Sequence, residues 1–159
     1  IYMDETTGRM CETHRRMFMM LADNLIRRGD KAKALQVLQK CKQVIPGYTV
    51  PYDDDDSQLA SLWVDAGNKQ EAARVAKDVL DYDIQYMRYI NSLGQDHVNT
   101  YGRTCYFMLS SMIEANQALH AANPTESNKY EMMIKQMSST PAFQLGMQIY
   151  QQQMQGAQQ

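Results

Sequence analysis

The sequence predicts an all-α protein built from antiparallel helical hairpins, and three observations carry that prediction. Apolar residues recur at intervals of three and four along nearly the whole chain, the spacing that lines one face of an α-helix. Where the pattern breaks, the sequence places glycine, asparagine, aspartate or proline, the residues that stop and start helices. No segment alternates with the two-residue period of a strand. The best extended candidate, Tyr48 to Tyr52, is short and interrupted by Pro51, so it reads as a linker.

The elements follow in order. Met10, His14, Met17, Phe18, Leu21 and Leu25 recur on one face of a first helix that ends at Arg28. Gly29 suits the left-handed position that closes a helix, and Asp30 can cap the next by accepting from its free N–H groups. The tripeptide Arg28-Gly29-Asp30 matches an adhesion signal, yet between two periodic segments it is a stop followed by a start. The second helix runs from Lys31 to Val44 with Ala34, Leu35, Leu38 and Cys41 inward, until Pro46 and Gly47 close it. A two-residue joint makes these helices antiparallel neighbours.

A second unit repeats this grammar. Leu59, Ala60, Trp63 and Ala66 line a helix ending at Gly67, and Asn68 with Glu71 forms a capping box for a helix carrying Ala72, Val75, Ala76, Val79 and Leu80 inward. That helix continues through Tyr82, Tyr86 and Tyr89 toward Asn91. Asp96 to His120 then reads as one long helix with Val98, Tyr101, Cys105, Met108, Met112 and Leu119 inward. Asn123-Pro124-Thr125-Glu126 opens another by cap, proline and box, with Tyr130, Met133, Ile134 and Met137 on its apolar face. Thr140-Pro141 opens the last, with Phe143, Met147 and Tyr150, before a glutamine-rich tail that is expected to fray.

Composition narrows the function. A chain of 159 residues, 44% hydrophobic, can bury one domain's core. A net charge of -2 with scattered Lys and Arg offers no stripe to neutralise phosphates, which argues against nucleic acid. No apolar run approaches the roughly 18 to 20 residues that span a bilayer, so membrane insertion by this segment is not expected. Cys11, Cys41 and Cys105 are too sparse and too widely spaced for a disulfide scaffold or a CxxC site, and they read as buried free thiols. The chain begins at Ile1 rather than Met, which suggests a piece of a longer protein.

Few residues suggest chemistry. His14, His97 and His120 lie far apart and share no i, i+4 ligand partner. Cys105 and His97 on one helix would be two turns, roughly 12 Å, apart, which is no catalytic dyad. Phosphate-loop and hydrolase fingerprints are absent. No catalytic residue, metal ligand or cofactor site is therefore assigned. The run Asp53 to Asp56 could hold a cation, but consecutive residues point in different directions. Its plainer role is to open the helix of Leu59 and Trp63, where the macrodipole favours negative charge. The 13 methionines read as core filler at Met17, Met108 and Met112. Tyr82, Tyr86 and Tyr89, beside Asp81, Asp83 and Arg88, either pack against a later helix or line a groove, with packing the first reading. Tyr52, Asp53, Tyr82, Tyr86, Arg88 and Tyr89 form the candidate partner-binding surface.

From Leu21 to Pro46 the chain reads L-A-x-x-L-x-x-x-G-D-x-x-x-A-L-x-x-L-x-x-C-x-x-x-x-P, which resembles a tetratricopeptide motif with Ala34 as its small residue on the second helix. Leu59, Ala60, Trp63, Gly67 and Ala72 stand at matching offsets, although Asp56 and Ile84 replace an apolar and a proline position. The Gly29 to Gly67 period of 38 residues exceeds the roughly 34 of that repeat, and the surplus falls in residues 47–56. The resemblance implies a right-handed superhelix of about six or seven helices. One domain would cover 1–156, with units at 15–48 and 53–86, divergent helices at 95–122, 124–138 and 141–155, and a disordered tail at 157–159.

A second resemblance rests on Met3-Asp4-Glu5, Arg9-Met10, Arg16, Phe18, Leu21-Ala22, Gly29 to Leu38, Cys41, Pro46 and Val50-Pro51-Tyr52-Asp53. These residues are similar to the soluble C-terminal region of bacterial polytopic membrane proteins related to protein O-mannosyltransferases. That likeness implies an extracytoplasmic, periplasmic module tethered to the membrane, with any glycosyl transfer performed by the membrane-embedded part and none by this segment. The expected function is non-catalytic scaffolding, docking a protein, a peptide or its own membrane domain. A small enzyme or cation-binding domain around Asp53 to Asp56 with Tyr52 is the alternative, and a purely structural cap the third.

Overall fold

A computed structural model describes residues 4–156, so the tail at 157–159 and Met3 lie outside the described residues. The described residues are mostly helical, and no strand occurs among them. Helix α1 spans Glu5–Arg27 and α2 Lys31–Val44; a 3-10 turn at Asp54–Asp56 leads into α3, Ser57–Asp65, and α4 spans Lys69–Ser92. The short α5, Gln95–Val98, and a second 3-10 turn, Asn99–Tyr101, precede α6 at Gly102–Ala122, α7 at Pro124–Met137 and α8 at Pro141–Gly156.

Asp4 starts α1 by accepting from the Thr7 amide at 3.0 Å and the Thr7 hydroxyl at 2.8 Å, the capping expected of aspartate. At the other end Gly29 adopts φ 81°; its N–H donates to Ile26 O and that of Asp30 to Leu25 O, both at 2.9 Å. Asp30 then accepts from the Lys33 amide at 3.1 Å. Arg28-Gly29-Asp30 is thus a helix stop and a helix cap. The second joint repeats it 38 positions later. Gly67, at φ 92°, donates to Val64 O and Asn68 to Trp63 O, both at 2.9 Å, and Asn68 accepts from the Glu71 amide at 3.1 Å. Glycine is required at both, because a side chain would strain a positive φ.

The capping boxes expected at Asn68 and Asn123 close on one side only. Glu71 turns its carboxylate to Lys42 at 2.6 Å and Arg74 at 3.1 Å, and Glu126 turns its own to Lys129. Full charges nearby outcompete a backbone amide for a carboxylate.

The inward face of α1 differs from the sequence reading. Arg15, Met19 and Ala22 are buried, with Leu25 and Ile26 packed against the core, whereas Met10, Met17 and Leu21 are exposed. Met17 is therefore not core filler, while Met108 and Met112 are buried. The helix carries apolar residues on two opposite sides, and periodicity alone cannot choose between them. Arginine reads as solvent-facing, so Arg15 masks the true inner stripe at 15, 19, 22 and 26.

A further correction concerns 95–122, which is not one straight helix. Asn99-Thr100 sits in a tight 3-10 turn between α5 and α6, consistent with side chains that compete with the backbone for hydrogen bonds and so favour turns over helix interiors. Beyond it, α6 packs against α3, α4, α7 and α8 and buries Cys105, Met108, Leu109, Met112, Ala115 and Leu119. A methyl on Gly146 of α8 would lie 2.6 Å from Cys105 O, so those two helix backbones meet in near contact. Asn91 ties α4 to α8 by accepting from the Ala142 amide at 2.9 Å.

Candidate docking groove

Between α2 and α3 the chain does not turn tightly. Residues 45–56 form a strap across the ends of both hairpins, and its fastening comes from α1. Ile45 and Val50 are buried, Pro46 O accepts from Thr49 N at 2.9 Å and Val50 N at 3.0 Å, and Tyr48 between them is left 92% exposed. Arg15, itself buried, donates to Val50 O, to Pro51 O and to the buried carboxylate of Asp56. A guanidinium out of water must meet several acceptors at once, and three strap groups supply them.

Tyr52 completes the clamp. It is only 4% exposed; the Arg15 guanidinium lies 4.6 Å and that of Arg74 5.6 Å from the ring centre, both within cation–π range. Arg74 also donates to the Tyr52 hydroxyl at 3.3 Å. Gly47 leaves room for the ring edge, since a methyl there would sit 2.5 Å from it.

Outside this clamp an open groove of about 920 Å³ runs between α2, the strap and α4. Gln39, Lys42 and Gln43 form the α2 wall, Tyr48 and Tyr52 belong to the strap, and Arg74, Asp78, Asp81, Tyr82 and Gln85 form the α4 wall. Lys42 is paired with Glu71, and Arg74 with Glu71 and, at 3.1 Å, with Asp78. Asp81 accepts from the Tyr130 hydroxyl of α7 at 2.8 Å, and among the described residues no Lys or Arg forms an ion pair with it.

The candidate residues separate. Tyr52 and Tyr82 line the groove; Asp53, Tyr86, Arg88 and Tyr89 do not. Tyr86 stacks on Tyr82 at 5.9 Å and meets Tyr89 edge-on at 5.9 Å, so the tyrosines form a ladder along α4 that leaves the groove. Tyr82 and Tyr86 pack partly against the core, while Tyr89 is exposed. Lys42, Tyr48, Arg74, Asp78 and Asp81 join the groove without any local pattern that marks them. The one sequence signal for them is the surplus of residues in the linker, which makes a strap where a tight turn would have closed the gap.

The acidic run has four different fates. Asp53 accepts from the Asp55 amide at 3.1 Å, and burial with the charges of Asp56 and Asp54 pushes its pKa up to about 7. Asp54 is raised by burial and by Asp55. Asp55 pairs with Arg16 at 2.8 Å on the surface. Asp56 holds Arg15; burial raises it to about 6 against the pull of that guanidinium. Among the described residues no three His, Cys, Asp or Glu side chains converge as a metal site. Cys41 is raised to about 11 by burial, which keeps it a thiol and a poor nucleophile.

Asp83 is a site that sequence reasoning does not find. Fully buried on α4, it has no hydrogen-bond partner for either carboxyl oxygen among the described residues. Burial raises it to about 8; Ser111 on α6 lies close enough to lower it without reaching hydrogen-bond geometry, and Asp54 and Asp53 push it up.

Among known proteins the chain matches no family model, and no curated protein or solved structure is significantly similar to it. No helix among the described residues is long and apolar enough to cross a membrane.

Proposed function

We propose that the chain is a non-catalytic helical docking module whose groove binds an extended polypeptide segment carrying a cationic side chain. The observation that supports this reading best is the exposed Tyr48 ring on a strap clamped by Arg15 and Arg74, beside an open groove. A rigid aromatic on a fixed loop contributes contact area at little entropic cost. The cationic residue follows from charge: Glu71 takes up Lys42, whereas Asp81 on the opposite wall accepts only from a neutral hydroxyl and has no ion-pair partner among the described residues.

In its fuller form the proposal makes the two hairpins tetratricopeptide-like units of a right-handed superhelix. The equivalent joints at Gly29 and Gly67 favour that arrangement. The same fuller form makes the segment the extracytoplasmic part of a membrane-embedded, glycosyltransferase-like protein. That placement rests on the likeness of residues 3–53.

Selection of random dodecapeptides displayed on phage tests the groove. Enriched sequences are expected to carry Lys or Arg, and to bind Tyr48→Ala and Asp81→Asn at least tenfold more weakly, about 1.4 kcal/mol. Enrichment of peptides indifferent to both variants overturns the proposal. The competing reading, an acidic or cation-binding site around Asp53, draws on that carboxyl's pKa near neutrality, which suits proton transfer. Thermal stabilisation by divalent cations that is lost in Asp54→Asn with Asp55→Asn would favour it.

A further inference from the structure

The outer side of α1 is apolar and uncovered. Met10, Met17, Met20 and Leu21 are between 50% and 62% exposed. On a helix of 3.6 residues per turn, positions 10, 17 and 21 fall within about 40° of one another, with Met20 about 60° to one side. The stripe faces away from Arg15, Met19 and Ala22, where α1 packs against α2 and α3. Scattered exposed hydrophobics are ordinary, but a contiguous methionine-rich stripe marks an adaptable contact surface.

The charges beside the stripe specify its occupant. Glu5 pairs with Arg9 at 2.6 Å and Asp23 with Arg27 at 2.8 Å. Eighteen residues separate the two pairs, five full turns, so they lie on the same flank of the helix. Their order is acid then base in both. A second α1 laid antiparallel with its twofold axis at residue 16 sets Glu5 opposite Arg27 and Arg9 opposite Asp23 of the other copy, twice over, while Arg16 on the same flank meets its own copy at the axis with its charge taken up by Asp55 of its own chain at 2.8 Å. Met17 then falls near the axis, and Met10 beside Leu21 of the second copy. A parallel twofold pairing would instead put the charged flanks of the two copies on opposite sides of the seam, where they could not meet. Antiparallel packing also opposes the two helix dipoles favourably.

We infer that the outer face of α1 is a self-complementary surface on which a second copy of this chain docks antiparallel, forming an isologous dimer. Sedimentation equilibrium of the chain at about 100 µM populates such a dimer if its Kd is micromolar. Met17→Glu is expected to give the monomer mass with an unchanged circular-dichroism melt, because the site is exposed. Charge exchange tests the register without depending on that variant: Arg9→Asp and Asp23→Arg each place like charges across the axis, and each alone is expected to be at least tenfold weaker in association. Mixed together they are expected to recover a heterodimer, since both carboxylates of the one variant then face guanidinium groups of the other across the axis. A monomeric wild-type chain at that concentration, or a dimer that ignores both the glutamate and the charge exchange, overturns the inference.

Discussion

Replacing Asp83 with asparagine isolates one charge in the centre of the molecule. The carboxyl sits where α4 meets α6, fully buried, both oxygens without a hydrogen-bond partner among the described residues. Asp53 and Asp54 face it from the strap and Ser111 from α6. No cation is among the groups that shift it, so the fold favours the protonated acid: its pKa rises from 3.8 to about 8, with burial the largest cause. The sign follows directly. A folded state that holds the proton more tightly than the unfolded chain is most stable at low pH and loses stability as pH climbs from about 4 to about 8. From about pH 4 to pH 7 the span is about three units at about 1.4 kcal/mol each, an upper bound on the order of 4 kcal/mol. Asp53, raised to about 7, and Asp56, raised to about 6, shift in the same direction. Asp83→Asn keeps the volume and cannot ionise. Urea unfolding at about pH 4.5 and pH 8 should show wild type and variant nearly equal in acid, and the variant more stable by a few kcal/mol in base. A constant offset at both pH values would refute the reasoning, because it would mean that Asp83 is not protonated preferentially in the fold.

Gly146→Ala drives a methyl into the backbone of Cys105 and should lower stability by about 1–3 kcal/mol in thermal unfolding, whereas Gly8→Ala, inside α1 with open space around it, should raise stability by about 0.5–1 kcal/mol. Arg15→Met alone leaves Asp56 buried and unpaired and should cost about 3–5 kcal/mol; adding Asp56→Leu should restore much of that loss in denaturant titration. Ala34→Trp overfills a fully buried position on α2 and should cost about 1–3 kcal/mol or more, so an unchanged melting temperature would contradict the packing of the first hairpin.

Local chemistry is legible in the sequence, and long-range chemistry is not. Gly29-Asp30 and Gly67-Asn68 specify their joints through backbone conformation and a cap within three residues, so both are readable, as are Ala34, Leu38, Trp63 and Val75 in the core. The inner side of α1 is hidden because Arg15 finds its acceptors at positions 50, 51 and 56, and no local pattern announces partners 35 to 41 residues away. Asp56 reads as a helix-opening charge for the same reason. Of the candidate surface, Tyr52 and Tyr82 reach the groove, but Tyr52 does so as a buried clamp, and Lys42, Arg74 and Asp81 gain their meaning only from the strap laid between them. Asp83 carries no signal at all: an aspartate in an otherwise apolar stripe reads as an edge until the packing places it inside.

The most direct test of the docking account is chemical-shift mapping of the isotopically labelled chain titrated with a selected peptide. The account predicts the largest amide shifts along residues 39–52 and 74–85, with α7 and α8 quiet apart from the neighbourhood of Tyr130. Shifts concentrated on α8 or on the outer stripe of α1, with Tyr48 and Asp81 unmoved, would contradict it.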